Sequence, residues 1–193
     1  MSTLKVDTIL KRSGTGTITL GQSGDTLAIP AGATIANSGT ATGFGDNQLP
    51  AFYAYAGSNQ GIDNNTWTKV NINTEDLDSA GAYDTSNYKF TPGVAGRYVF
   101  HCMVNMFGGQ TTINYSQVAI YKNGSSHVQF YFDFQANQIY GSNVGGSCTI
   151  TSDADDYFEL YARTQLNSGT PTIQGHGGRV TYFAATRIAG LTS

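Results

Sequence analysis

The chain has 193 residues, with 10 Lys and Arg against 13 Asp and Glu, a formal net charge of −3, and only 12% of its residues charged. That is about half the charged fraction of an ordinary soluble domain, and a weakly acidic chain without a basic run does not neutralise phosphate backbones, so nucleic acid is not expected as a partner. No apolar run approaches the roughly 20 residues that span a bilayer, and residues 1–11 lack the apolar core of a signal peptide, so neither membrane insertion nor general secretory export is expected.

Composition breaks near residue 44. The 1 Trp, 12 Tyr and 10 Phe all lie at or beyond Phe44, whereas the first 43 residues are rich in Thr, Gly, Ala and Ser. A segment without large side chains cannot build its own packed core. Residues 1–49 therefore read as a stalk and linker, and residues 50–193 as one domain. Within the stalk, short apolar and Thr-rich pieces at residues 4–9, 17–20, 26–29 and 33–35 are separated by Gly and Ser turns. Each piece is expected to form a tiny strand that buries its thin apolar face only against other copies of the chain. Leu4, Val6, Ile9, Ile18 and Leu20 are the expected attachment residues.

From residue 50 the pattern is a succession of strands. Residues 50–56 alternate, residues 67–72 and 88–91 give two short strands around an Asp-rich loop at 75–78, and residues 97–107 place Tyr98, Phe100, Cys102, Val104 and Met106 on one face. Residues 115–122 precede Asn123-Gly124, the strongest hairpin signal in the chain. The partner strand at 127–135 puts Val128, Phe130, Phe132 and Phe134 on one face and His127, Gln129, Tyr131 and Asp133 on the other. Strands follow at 145–151, at 157–164 with Phe158, Leu160 and Ala162 inward, and at 179–188. Eight or more antiparallel strands with this alternation predict an all-β, two-sheet sandwich, with a jelly roll as the leading topology.

Several motifs sit along that frame: Ala51-Phe52, Trp67-Thr68-Lys69-Val70, Tyr88-Lys89-Phe90-Thr91-Pro92, Gly96-Arg97-Tyr98-Val99-Phe100, Tyr121-Lys122-Asn123-Gly124, Asp155-Asp156-Tyr157-Phe158-Glu159-Leu160 and Phe183. In this order, over residues 50–188, they resemble the globular head of complement component one, subcomponent q, a member of the tumour-necrosis-factor-like superfamily. The resemblance implies a ten-strand jelly roll that assembles as a homotrimer. Residues 1–49 depart from the animal proteins of that family, because they lack the Gly-X-Y period of a collagen stalk. The opening Ser2-Thr3-Leu4-Lys5-Val6-Asp7-Thr8-Ile9, followed by Gly16-Thr17-Ile18-Thr19-Leu20, instead resembles the starts of fibre and other virion proteins of marine tailed bacteriophages. That second resemblance implies a virion protein assembled in the host bacterial cytoplasm, docked on other virion proteins through residues 1–49. A capsid decoration or head-fibre protein without a receptor role, and a non-viral secreted lectin-like module, are the alternatives.

In a jelly roll the first and last strands are antiparallel neighbours. The loops at 57–66, 108–113, 136–142 and 166–178 then share the end opposite the stalk. Their side chains are mostly amides and hydroxyls, suited to hydrogen bonding with a host-surface glycan or protein. Asn59, Gln60, Gln110, Asn114, Tyr115, Asn137, Gln138, Tyr140, Asn167 and His176 are the expected receptor-contact residues, with Tyr115 and Tyr140 as stacking faces. Tyr53, Tyr55, Tyr121, Tyr131 and Tyr161 fall opposite the core faces, and with Phe183 they form the expected trimer interface.

No catalytic residue is expected, since His101, His127 and His176 stand in no nucleophile motif and residues 141–145 lack the order of a nucleophile elbow. Asp153, Asp155 and Asp156 lack the spacing of a calcium loop and are expected in Asx-type turns, so no metal or cofactor is assigned. Cys102 and Cys148 are expected on neighbouring strands as unbonded thiols, the reduced form being favoured in a cytoplasm.

Overall fold

The structure is a computed structural model that describes residues 8–10, 14, 16–36, 50–134, 139–176 and 178–190. The chain divides into two compact units, Met1–Thr42 and Gly43–Ser193.

In the first unit the described residues form turns and extended chain, not the short hydrogen-bonded strands expected there. Asp25 closes one turn, its amide donating to the Gln22 carbonyl at 3.0 Å and its carboxylate accepting from the Gln22 amide at 2.8 Å. The side chains of Ile9, Leu10, Ile18, Leu20, Leu27, Ile29 and Ile35 are all exposed. One thin apolar face per piece gives a single chain nothing to pair with, so no ladder closes. Leu4 and Val6 lie outside the described residues.

The second unit contains β1 (Ala51–Tyr55), β2 (Gln60–Gly61), β3 (Thr68–Lys69), β4 (Thr74–Asp78), β5 (Tyr83–Asp84), β6 (Lys89–Phe90), β7 (Gly96–Phe107), β8 (Ile113–Lys122), β9 (Ser125–Asp133), β10 (Gly141–Ser152), β11 (Phe158–Leu166), β12 (Thr172–Ile173) and β13 (Tyr182–Ala189). The first sheet runs β2-β12-β7-β13-β1-β4, with β10 along the other edge of β7. The second runs β5-β6-β11-β8-β9, with β3 also paired to β11. Every ladder between these strands is antiparallel, and β1 lies beside β13. This is an all-β jelly-roll sandwich.

Alternation decides what fills it. In β7 the even positions from Gly96 to Met106 are buried, so Tyr98, Phe100, Cys102, Val104 and Met106 face inward. Phe100 meets Phe158 with ring centroids 4.6 Å apart, and Phe52 meets Phe90 at 4.4 Å and Tyr83 at 4.6 Å. Each fully buried side chain of this size contributes about 1.5–3 kcal/mol. The buried tyrosines keep their hydroxyls satisfied: Tyr98 donates to the Val94 carbonyl at 2.6 Å and Tyr83 to the Ile72 carbonyl at 2.9 Å. Close approach of strands dictates two glycines in β10. A Cβ on Gly145 would strike the Cys102 carbonyl, and one on Gly146 would lie 2.5 Å from the Phe130 ring.

Four expectations are corrected here. Phe183 is fully buried, stacked on Phe100 at 5.8 Å, because it shares its parity in β13 with Ala185; it belongs to the core and not to an interface. The Asp-rich segment is no loop: β4 pairs with β1 as an edge strand, where outward carboxylates are tolerated and discourage further strand pairing. The strand expected at 67–72 shortens to Thr68–Lys69, because Ile72 turns back to donate to the Val70 carbonyl at 2.9 Å. Phe132 shares a face with Phe130 yet is 51% exposed, since β9 is the free edge of the second sheet and overhangs the sandwich.

Candidate functional site

Ladder registers define two ends of the head. At the base lie the start of β1, the β8–β9 turn and residues 153–157. There Asn123 and Gly124 both take positive φ, 52° and 77°, as a two-residue hairpin turn of the mirror-image type requires. The Asn123 side chain grips the next loop, donating to Asp156 Oδ1 at 2.7 Å and accepting from the Tyr157 amide at 2.9 Å. Asp156 also accepts from the Asp153 amide at 2.7 Å and pairs with Lys122 Nζ at 2.7 Å. Burial opposes ionisation of Asp156, but Lys122, Asn123 and the Asp153 amide outweigh it and hold the carboxyl below its ordinary range. The acidic cluster is thus a knot that ties two base loops together.

At the apex lie the loops that follow β7, β11 and β12 and the one that precedes β10. Four of the expected receptor-contact side chains spend polar groups on holding these loops. Asn59 Oδ1 accepts from the Gly175 amide at 3.0 Å. Gln60 donates to the Lys69 carbonyl and accepts from the Asn71 amide, both at 2.9 Å. Asn167 donates to Thr112 Oγ1 at 2.8 Å, and His176 Nδ1 accepts from the Gly178 amide at 3.1 Å. The backbone carbonyl of Asn114 accepts from the Phe134 amide at 2.7 Å. Asn137 and Gln138 lie outside the described residues.

Two of the expected residues are left at the surface and are brought together. Gln110 and Tyr140 line one recess of about 490 Å³ with Gly109 and Phe107. Sequence reading missed Phe107. Its signal was parity, since an odd position at the end of an inward-even strand points out.

Tyr115, expected at the apex as a stacking face, belongs elsewhere. Its hydroxyl donates to Asn65 Oδ1, and its ring meets Tyr131 at 5.8 Å and the Arg163 guanidinium at 5.5 Å. Arg163 reaches the Trp67 ring at 5.1 Å on its other side and donates to Gln117 Oε1. Trp67 meets Tyr121 edge-on at 6.3 Å, and Tyr121 stacks on Tyr161 at 4.0 Å. Tyr131, Tyr115, Arg163, Trp67, Tyr121 and Tyr161 therefore form one continuous ladder on the outer face of the second sheet.

The expected interface tyrosines thus occupy two opposite faces, with Tyr53 and Tyr55 on the outer face of the first sheet. Tyr53 stacks on Tyr182 at 5.5 Å, and Arg179, held by Asp76 at 2.8 Å, lies over Tyr53 and Tyr55. Burial pushes the Tyr53 hydroxyl up, against the pull of Arg179. Further across this face the outward residues of β7 and β10 between Val99 and Phe107 include no Asp, Glu, Lys or Arg: His101 Nδ1 lies 2.7 Å from Ser147 Oγ, and Asn105 donates to Asn143 at 2.7 Å.

Comparison with known proteins identifies the architecture. The head superposes on Eiger, a tumour necrosis factor from S. frugiperda, with a TM-score of 0.55 and 6% identity, over 75% of this chain and 94% of that one. Murine APRIL matches with a TM-score of 0.52 and 8% identity, over 72% and 99% of the two chains. The globular domain of zebrafish complement 1qA protein matches with a TM-score of 0.50 and 14% identity, over 74% and 98%. The fold is a tumour-necrosis-factor-like jelly roll. No protein-family model matches the sequence, and no curated protein matches it.

Among the described residues, no group of three or more His, Cys, Asp or Glu converges as a metal site requires. Cys102 pairs in register with Gly146 and Cys148 with Phe100, so the cysteines are diagonal neighbours on one face, and both are free thiols. Burial pushes the Cys102 thiol up to about 12 and raises Cys148 as well, which leaves neither as a ready nucleophile.

Proposed function

We propose that this chain is a non-enzymatic virion protein of a tailed bacteriophage, a homotrimeric fibre or appendage attached through residues 1–49, whose jelly-roll head projects outward and contacts the host surface at its apex. The observation that carries this reading is a well-packed head joined to a segment whose described residues bury no side chain. The first unit exposes seven aliphatic side chains along a stretch without any aromatic, a pattern that needs other chains to cover it. Ile9, Ile18 and Leu20 are among them, and Leu4 and Val6 belong to the same run. Resemblance of residues 2–20 to phage virion openings supplies the setting, and the jelly roll supplies the trimer.

The outer face of the first sheet suits self-association better than that of the second. Its centre includes no Asp, Glu, Lys or Arg among the outward residues from Val99 to Phe107, and Tyr53, Tyr55 and Tyr182 keep polar hydroxyls on apolar rings, as buried interface aromatics do. A closed three-fold assembly places this face against a different part of the neighbour. A reconstruction of the particle that carries the chain tests the reading. Three-fold density at the tail or its appendages, with residues 1–49 docked on the particle, is the expected result. Density on capsid faces or vertices makes it a decoration protein, and a chain found free of any particle overturns the viral assignment.

A further inference from the structure

We propose that the apical recess formed by Phe107, Tyr140, Gln110 and Gly109 binds a neutral pyranose ring. The inference rests on the apex-as-contact reading above and names the chemical class that the apex takes. Phe107 is 39% exposed at the apical margin of the first sheet, and Tyr140 is 56% exposed in the loop before β10. These rings differ from the other exposed aromatics. Tyr131 and Phe132 each meet another ring, whereas neither Phe107 nor Tyr140 has a ring or cation partner among the described residues. Their faces are uncommitted.

Position and rigidity strengthen the case. The Gly108 amide donates to the Tyr140 carbonyl at 2.7 Å, and the Ile113 amide to the Ile139 carbonyl at 2.7 Å, so the loops carrying the two rings are stitched together. Thr111 Oγ1 adds bonds to the Gly108 and Ser168 carbonyls, both at 2.9 Å, which fastens a third loop to the pair. Such a recess loses little entropy on binding. Gly109 takes φ 68°, a conformation that favours glycine, at the edge of the recess.

Chemistry selects the ligand. The recess is a shallow, open depression of about 490 Å³, room for one sugar ring to lie on the surface with its other face in water. Among the described residues its lining, Phe107, Gly109, Gln110 and Tyr140, offers an ion no counter-charge. What it offers is two aromatic faces, a phenol hydroxyl and one free carboxamide. A neutral sugar presents the complement: a C–H face that lies on the negative face of an aromatic ring, and hydroxyls that both donate and accept. An anionic sugar acid or a peptide carboxylate would arrive without a cation to meet it.

Saturation-transfer NMR of the full chain with methyl α-glucopyranoside, methyl α-galactopyranoside and N-acetylglucosamine, beside galacturonate, tests the proposal. Transfer to at least one neutral sugar, with none to galacturonate, is expected. Tyr140→Ala should weaken that binding at least 10-fold, Gln110→Ala about 3-fold to 10-fold, and Tyr140→Phe least. Sedimentation of each variant checks assembly, and Phe107→Ala is read only on affinity at unchanged mass. The inference is overturned if no neutral sugar binds, if Tyr140→Ala binds as the wild type does, or if Phe107→Ala dissociates the assembly and so assigns that ring to the subunit interface. Host attachment that survives Tyr140→Ala overturns the sugar site alone; loss of trimer or particle association in the wild type overturns the wider reading.

Discussion

The tyrosines on both outer faces of the sandwich lean on one another and on an arginine, and the faces differ in how far across the sheet those rings extend. On the second sheet Tyr131, Tyr115, Trp67, Tyr121 and Tyr161 lean on one another and on Arg163, so each ring is largely satisfied within its own subunit. Charges sit among them, with Lys69 Nζ 2.6 Å from Glu159. On the first sheet the tyrosines gather at one side, over β1 and β13, beside the Arg179–Asp76 pair, and the outward residues across β7 and β10 include Val99, His101, Met103, Asn105, Asn143 and Ser147. The difference teaches that an outward tyrosine is not by itself an interface residue. What distinguishes the face suited to another subunit is the stretch beyond its tyrosines, where the outward residues from Val99 to Phe107 include no Asp, Glu, Lys or Arg.

The sharpest way to break this comparison is to place a charge on each face. Ala184→Arg projects a guanidinium from the centre of the first face, where a single subunit has room for it and a packed neighbour does not. It is expected to convert the proposed trimer to folded monomer, read by sedimentation velocity with unchanged circular dichroism. A matching Gln129→Arg on the second sheet is expected to leave the mass unchanged. Equal loss of assembly from both variants would show that the faces are not specialised.

Arg163→Ala should act on stability and not on assembly. It removes a cation held between Trp67 and Tyr115 and a hydrogen bond to Gln117, a loss of about 1–2 kcal/mol in denaturant unfolding. A subunit-interface role for the ladder would instead show as concentration-dependent melting of the variant.

A smaller effect separates the sheets by pH. Asp156 ties the base of the second sheet, and its carboxyl is held below its ordinary range in the folded protein. Its contribution is therefore fully present above the unfolded carboxylate value of about 3.9 and is lost as the pH falls through the lower folded value. Hydrogen exchange is expected to rise at residues 122–124 and 153–157 on acidification below about pH 4, before it rises in β1 and β13. In Asp156→Asn this acid step should disappear, and simultaneous opening of both sheets would contradict the local assignment.

Much of the head was legible beforehand because strand alternation is a local signal. The run of inward residues from Tyr98 to Met106, the Asn123-Gly124 turn and the inward Phe158, Leu160 and Ala162 need only neighbours in sequence to be read. The misreadings are of another kind. Glu75, Asp76 and Asp78 read as loop because a charged strand is unfavourable at the centre of a sheet, and nothing local says that β4 is an edge. Phe183 was assigned outward although its alternation with Ala185 points in. At the apex, loop placement followed from topology, and Tyr140 and Gln110 could be singled out. That Tyr115 is consumed by Arg163 and Asn65 depends on partners 48 and 50 residues away in sequence, and only the folded register brings them together.

Self-association of the head is the claim on which the rest depends, and the mass of the full chain in solution tests it most directly. Sedimentation equilibrium at micromolar concentration is predicted to give a single species of roughly three times the 20.5 kDa chain mass. A stable species of 20.5 kDa over the same range would contradict the account.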